Sequence, residues 1–167
     1  MLPLILKPVH IKVGLAGEGP GRERRAALLA DAGMEVRLLP EVISDELLEG
    51  LQLLFVAGLP KSDARALVGR AGSLGILVNV EDMPDLCDFH VPAIVRRGEL
   101  LLTASTGGQV PGLARALREH LAQAFGPEWT ARLKELGAAR ARWRSEGLPP
   151  HQVSQHVREL VMQMGWL

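Results

Sequence analysis

Three short runs of this chain carry groups suited to chemistry. The first is Gly17-Glu18-Gly19-Pro20-Gly21, followed by Arg22-Glu23-Arg24-Arg25-Ala26. Glycines at a strand-to-helix junction let the backbone approach a pyrophosphate, and the helix entry offers it unpaired N–H groups and a partial positive charge. The same glycines also suit a plain tight turn. The second run is the acidic turn Glu81-Asp82-Met83-Pro84. A carboxylate such as Asp82 at the mouth of a cleft can act as a general base or hold a metal ion in transit. The alternative is a turn residue that hydrogen-bonds its own backbone ahead of Pro84. The third run is Ser105-Thr106-Gly107-Gly108, ahead of Pro111. Hydroxyls and glycine N–H groups at a helix entry favour a carboxylate ligand, and they equally make an N-cap with a hinge. Arg115 and Arg118 follow on the first turns of that helix and can present guanidinium groups to carboxylates; Arg96 and Arg97 form a second candidate patch. Cys87 reads as a small apolar residue, because no neighbouring His or Cys makes a metal-ligand spacing. No resident metal site is expected.

These runs need a scaffold, and the apolar pattern supplies one. Short apolar runs alternate with amphipathic stretches, the signature of a parallel sheet covered by helices, so the fold class is α/β. Strands are expected at residues 10–16, 35–39, 53–57 and 76–80, and helices at about 21–32, 44–51 and 62–71. Beyond Val80 the rhythm changes. Residues 93–95 and 100–104 flank Arg96-Arg97-Gly98-Glu99 and read as a hairpin. Residues 111–125, 127–145 and 150–164 are three helical patterns, each with a Pro at or near its first turn, where the missing N–H costs least. Trp129, Leu133, Leu136 and Trp143 stripe the second of these, and Val153, Val157, Leu160, Val161 and Met164 stripe the third. Such stripes call for a partner surface.

Bulk composition narrows the classes. With 167 residues, 47% of them hydrophobic, the chain can bury a real core. Its 19 Lys and Arg balance 19 Asp and Glu, so no global field steers it to nucleic acid or a membrane surface. A single Cys excludes an internal disulfide framework and suits a reducing compartment, which makes the cytoplasm the default location. The apolar N-terminus is interrupted by Pro3, Lys7 and Pro8, too soon for a signal segment or a membrane span.

The ordering of residues 76–118 is more specific than any of these features. Asn79, Val80, Asp82, Pro84, Cys87, Phe89, Pro92 and Ala93 spell N-V-x-D-x-P-x-x-C-x-F-x-x-P-A; after a short hairpin, Ser105, Thr106, Gly107, Gly108, Pro111, Leu113, Ala114, Arg115, Leu117 and Arg118 follow. This segment resembles the N-terminal module of siroheme synthases and the free-standing precorrin-2 dehydrogenases. The glycine run is similar to that family's approximate G-G-G-x-V-A-x-R-K-A, with Glu18 in place of the middle glycine and Arg22 in place of a small residue. Ala57-Gly58-Leu59-Pro60 stands where the family usually has A-T-[DN]-D, the largest departure in the chain.

The resemblance implies a Rossmann-like NAD-binding domain over residues 1–92 and a hairpin and helical dimerisation segment over 93–167. It implies NAD as cofactor, held at Gly17, Gly19, Pro20 and Gly21, with Glu41 and Val42 beside the adenosine ribose. It implies oxidation of precorrin-2 to sirohydrochlorin in siroheme or cobalamin biosynthesis, and, as in some members, insertion of Fe2+ or Co2+ as a chelation substrate. Asp82 takes the position of the family's essential aspartate; Ser105, Thr106, Gly107, Gly108 and Arg115 are the candidates for the peripheral carboxylates. A homodimer and a separate methyltransferase that supplies the tetrapyrrole are implied as well. The alternative is a redox-inactive homologue that acts as a tetrapyrrole metal chelatase or tetrapyrrole-binding protein, motivated by Glu18 and by Gly58 to Pro60. A structural domain without chemistry fits less well with Asp82 and Ser105 to Gly108 together.

Overall fold

A computed structural model describes residues Met1–Leu167, which divide into two compact units, Met1–Val91 and Pro92–Leu167. In the first unit β1 (Val13–Gly17), α1 (Gly19–Asp31), β2 (Val36–Leu38), β3 (Leu53–Ala57), α2 (Lys61–Ser73) and β4 (Leu77–Val80) follow in order. All four strands are parallel and lie in the order β2-β1-β3-β4. The chain therefore leaves β1 toward one side of the sheet and resumes at β3 on the other, so the strand order reverses between β1 and β3. Open sheets of this kind bind their ligands at that reversal, outside the carboxyl ends of the strands.

Both faces of the sheet are covered, which explains why β1 and β3 are continuous apolar runs instead of alternating ones. Leu29 of α1 joins Val13, Leu15, Leu53 and Phe55 of the sheet in one cluster. On the opposite face Ala16, Leu54, Val56, Val78 and Val80 meet Ala64, Leu67 and Ala71 of α2. Leu15 and Leu54 are wholly buried; truncating either to Ala should cost roughly 2–5 kcal/mol.

Two expectations need correction here. Residues 44–51 are not a helix but consecutive turns: the Leu48 and Glu49 amides both donate to the Asp45 carbonyl (2.9 and 3.1 Å), and Gly50 ends the segment at φ 74°. The helix-like pattern came from Leu48 and Leu51, which are buried against the sheet, and so short a segment has little helical stability of its own. Arg70 of α2 ties the turns down, donating to the Asp45 carboxylate and the Ile43 carbonyl, each at 2.8 Å. The first strand also starts later than expected, at Val13, because Pro8–His10 forms a 3-10 turn.

The free edge of β4 is closed by the chain that follows it. A short 3-10 turn, Pro84–Leu86, reverses direction, after which Asp88 takes both backbone groups of Val78: its amide donates to the Val78 carbonyl and its carboxylate accepts from the Val78 amide, both at 2.8 Å.

The second unit opens with an antiparallel hairpin, β5 (Ala93–Arg97) and β6 (Leu100–Ala104). Its loop is only Gly98-Glu99, with Gly98 at φ 58°, so Arg96 and Arg97 belong to the strand and not to the turn. Three helices follow, α3 (Pro111–Ala124), α4 (Trp129–Ser145) and α5 (Pro150–Gln163). Helix α3 packs on the hairpin, and Arg97 caps its carboxyl end, donating to the carbonyls of Phe125 (2.8 Å) and Ala122 (3.1 Å). The stripes of α4 and α5 were expected to need an outside partner; instead the two helices pack on each other. Trp129 meets Phe125 at a tilt and Trp166 edge-on, Arg132 lies over both tryptophan rings, and Trp143 meets His156. Apolar side chains that stay exposed include Leu113 and Leu117 of α3, beside Val110, and Met162, Met164 and Leu167 at the end of α5, so the α5 stripe is not covered as far as Met164.

Candidate active site

At the carboxyl ends of β1 and β3 two loops cross backbone against backbone. The Glu18 amide donates to the Ala57 carbonyl at 3.1 Å. A Cβ at position 17 would overlap the Ala57 carbonyl oxygen, and a Cβ at 58 would overlap that of Glu18. Gly17 (φ 103°) and Gly58 (φ 76°) are therefore both required, by sterics and by backbone conformation. Gly19 (φ 71°) is different, since nothing lies within 4 Å of the place its Cβ would occupy. The junction is open on that side.

Helix α1 begins beside this opening with Glu18 as its N-cap, and no side chain caps its first amides. Glu18 itself is exposed, so its carboxylate is turned to solvent and does not fill the opening. Pro20 has no N–H to offer, which leaves the amides of Gly19 and Gly21 as the first-turn donors. Arg22 reaches the end of β2 and donates to the Leu39 carbonyl at 3.4 Å. Just beyond it Glu41 and Val42 are exposed at the same sheet edge.

Glu81 was not among the candidates, yet it lies closest to this machinery. Its carboxylate occupies the space left by the missing side chain of Gly21, in the first turn of α1, and it accepts from Arg24 at 3.4 Å. Its side chain is 17% exposed against 66% for Arg24. Residues 21 and 81 come together only through the fold, so no local sequence signal could have found the pair.

Asp82 is the single non-glycine residue with a positive φ, at 58°. Such a conformation costs of order 1–3 kcal/mol and persists only where the surroundings over-determine it. The side chain is exposed and makes no hydrogen bond, so the carboxylate is not the backbone-bonded turn group that the sequence alone allowed. Nor is Cys87 simply an apolar filler; its thiol sits against the ends of the Asp82 turn.

In the second unit, Ser105 accepts from the Gly107 amide at 3.2 Å, and the Thr106 hydroxyl accepts from the Val110 amide at 3.3 Å. The N-cap of α3 is Val110, so Ser105 to Gly108 shape the preceding loop and do not cap the helix; no side chain caps its first turn. Gly107 and Gly108 take positive φ, 64° and 79°. Arg115 pairs with Glu119 at 3.1 Å, and Arg118 reaches the same carboxylate at 3.7 Å. Both pairs are exposed, and pairs of this kind hold weakly against an incoming anion. No group of three or more His, Cys, Asp and Glu is placed to hold a metal ion, and no helix is long and apolar enough to cross a membrane.

Comparison with known proteins places this geometry. Siroheme synthase of Methylococcus capsulatus is 31% identical over 182 residues, covering 97% of this chain and 38% of that protein. Siroheme synthase of Pseudomonas aeruginosa is 38% identical over 163 residues, covering 86% of this chain and 35% of that one. Over most of its length this chain is similar to part of the siroheme synthases. It spans little more than a third of the length of these relatives. Residues 36–93 match a family model described as "Putative NAD(P)-binding". Among solved structures, "SirC, precorrin-2 dehydrogenase" shares the fold, with a TM-score of 0.73 at 18% identity over 96% of this chain and 89% of that one.

In this siroheme synthase relative the first unit brings Gly17 to Gly21, Glu41, Val42 and Asp82 to the carboxyl edge of one sheet. The crossing at Gly17 and Gly58, the open side of Gly19 and the uncapped first turn of α1 fit a dinucleotide phosphate, while the Glu81 carboxylate beside Gly21 opposes one. At position 58 glycine has a steric reason in this chain, because a side chain there would strike the Glu18 backbone, while nothing in the structure explains Leu59 and Pro60.

Proposed function

We propose that this chain is a precorrin-2 dehydrogenase that takes NAD as its cofactor and yields sirohydrochlorin. The observation that carries this reading is Asp82, an unpaired carboxylate on a left-handed backbone, set at the same sheet edge as a glycine crossing open to a phosphate. Gly17, Gly19, Pro20 and Gly21 form the cradle, and Glu41 and Val42 border the ribose. When bound, NAD supplies a hydride acceptor. Asp82 receives the proton that leaves with the hydride, and being solvated it can pass that proton on. Ser105 to Gly108 and Arg115 hold the acetate and propionate groups of the ring. The protein works as a cytoplasmic homodimer through residues 93–167, on a substrate that a methyltransferase supplies.

A second reading is favoured by Glu81. A carboxylate in the first turn of α1 opposes a pyrophosphate there, which suits a homologue that inserts Fe2+ or Co2+ into sirohydrochlorin without redox chemistry. One experiment separates the two: titrate the purified protein with NAD, then assay sirohydrochlorin formation from enzymatically generated precorrin-2 and metal insertion into supplied sirohydrochlorin, both without oxygen. Saturable NAD binding with sirohydrochlorin formation supports the first reading. Metal insertion with neither supports the second.

A further inference from the structure

The one cysteine of the chain is built into the turn that presents Asp82. Cys87 Sγ lies 3.2 Å from the Val80 amide, 3.2 Å from the Val80 carbonyl and 3.4 Å from the Met83 carbonyl. Val80 and Met83 are the first and last residues of that turn, and Asp82 is its third. The turn's own closing bond, from the Met83 amide to the Val80 carbonyl, is long at 3.4 Å. The thiol thus accepts from the Val80 amide while its single S–H is shared between the carbonyls at the two ends of the turn. Its own position is fixed on either side. Asp88 holds Val78, and buried Asn79 donates to the Phe89 carbonyl at 2.8 Å and lies 3.6 Å from Sγ. Something must hold Asp82 in its left-handed conformation, and its own carboxylate, exposed and without a hydrogen bond, does not.

We propose that Cys87 is a positioning residue: its thiol clamps Val80 to Met83 and so keeps Asp82 left-handed with its carboxylate free. The catalytic consequence rests on reading Asp82 as the proton acceptor, while the clamp itself does not.

Two double-mutant cycles on the full chain test it. The first reads melting temperature. Asp82→Gly relieves the left-handed strain and should raise Tm by about 2 °C when Cys87 is present. In the Cys87→Ala background, where the turn is free to relax, that gain should fall by more than half. Equal gains in both backgrounds, or no gain with Cys87 present, overturn the clamp. The second cycle reads turnover and NAD affinity. Cys87→Ala should lower kcat by about 10-fold with the NAD dissociation constant unchanged. Cys87→Ser, which keeps a donor and acceptor in place, should restore most of it, and in an Asp82→Asn background Cys87→Ala should add no further loss. A full additional loss there would show that Cys87 acts apart from Asp82 and overturn the proposal. If the wild type shows no turnover at all, the reading of Asp82 fails, while the melting cycle still decides the clamp.

Discussion

The carbonyl oxygen of Glu18 occupies the place that a side chain at Gly58 would need. The contact makes Gly58 a structural requirement of the β1–β3 crossing. Gly58→Ala should destabilise the first unit by about 3 kcal/mol or more, because a backbone atom must move and the new residue must also hold a positive φ. Thermal or urea unfolding checks this, and Gly69→Ala, in the open middle of α2, should stabilise or leave stability unchanged.

Gly19 behaves differently, although its φ is also positive. A side chain there meets no protein atom, so Gly19→Val should fold with a backbone penalty of about 1–2 kcal/mol. It should nevertheless lose NAD binding, since the branched side chain enters the space left for phosphate. Calorimetric titration of the folded variant is the measurement; unchanged affinity would remove Gly19 from the cradle.

Asp82→Asn keeps size and tolerates the left-handed backbone but removes basicity. Turnover to sirohydrochlorin should fall by roughly 10²-fold or more while Tm stays nearly constant. A turn residue without chemistry predicts surviving activity.

Glu81 places a negative charge where phosphates would approach and pairs with Arg24. Glu81→Gln should tighten dinucleotide binding several-fold, on the order of 1 kcal/mol for charges a few ångströms apart in a partly solvated site, and the gain should shrink in high salt. Weaker binding in the variant would assign Glu81 to holding the cofactor.

Leu113 and Leu117 are 49% and 40% exposed one turn apart on α3, beside Val110 at 50%. If this face joins two copies, Leu113→Glu with Leu117→Glu should convert a dimer to a monomer in sedimentation without loss of helix content. A wild type that is monomeric at micromolar concentration would remove the face from consideration.

Much of the scaffold was legible because burial leaves a local trace. The runs VGLAG and LLFVA are apolar throughout since both faces of their strands are covered, and Pro111 and Pro150 mark helix starts that the chain uses. Residues 44–51 misled for the same reason: Leu48 and Leu51 are buried at helical spacing in a segment of turns. The stripes on α4 and α5 were visible, but not that they would meet each other. What stayed illegible was contact across sequence distance. Gly58 beneath Glu18 and Glu81 against Gly21 are about 40 and 60 residues apart, and neither residue type announces its partner. At Asp82 the pattern identified the residue, while the left-handed backbone and the thiol that abuts its turn emerged only in three dimensions.

An unpaired strand edge is a template on which a second chain can add, and proteins that stay soluble blunt such edges. Along β4 the outward backbone groups of Val78 are taken by Asp88, and those of Val80 face Cys87. The opposite edge, β2, is three residues long and carries Arg37. The four-stranded sheet therefore resists growing sideways into a continuous assembly, and any specific association of the first unit is left to side-chain surfaces. Asp88→Ala would free the Val78 amide while keeping the bond to the Val78 carbonyl, and the cost of that partly opened edge should show first as concentration-dependent aggregation on warming.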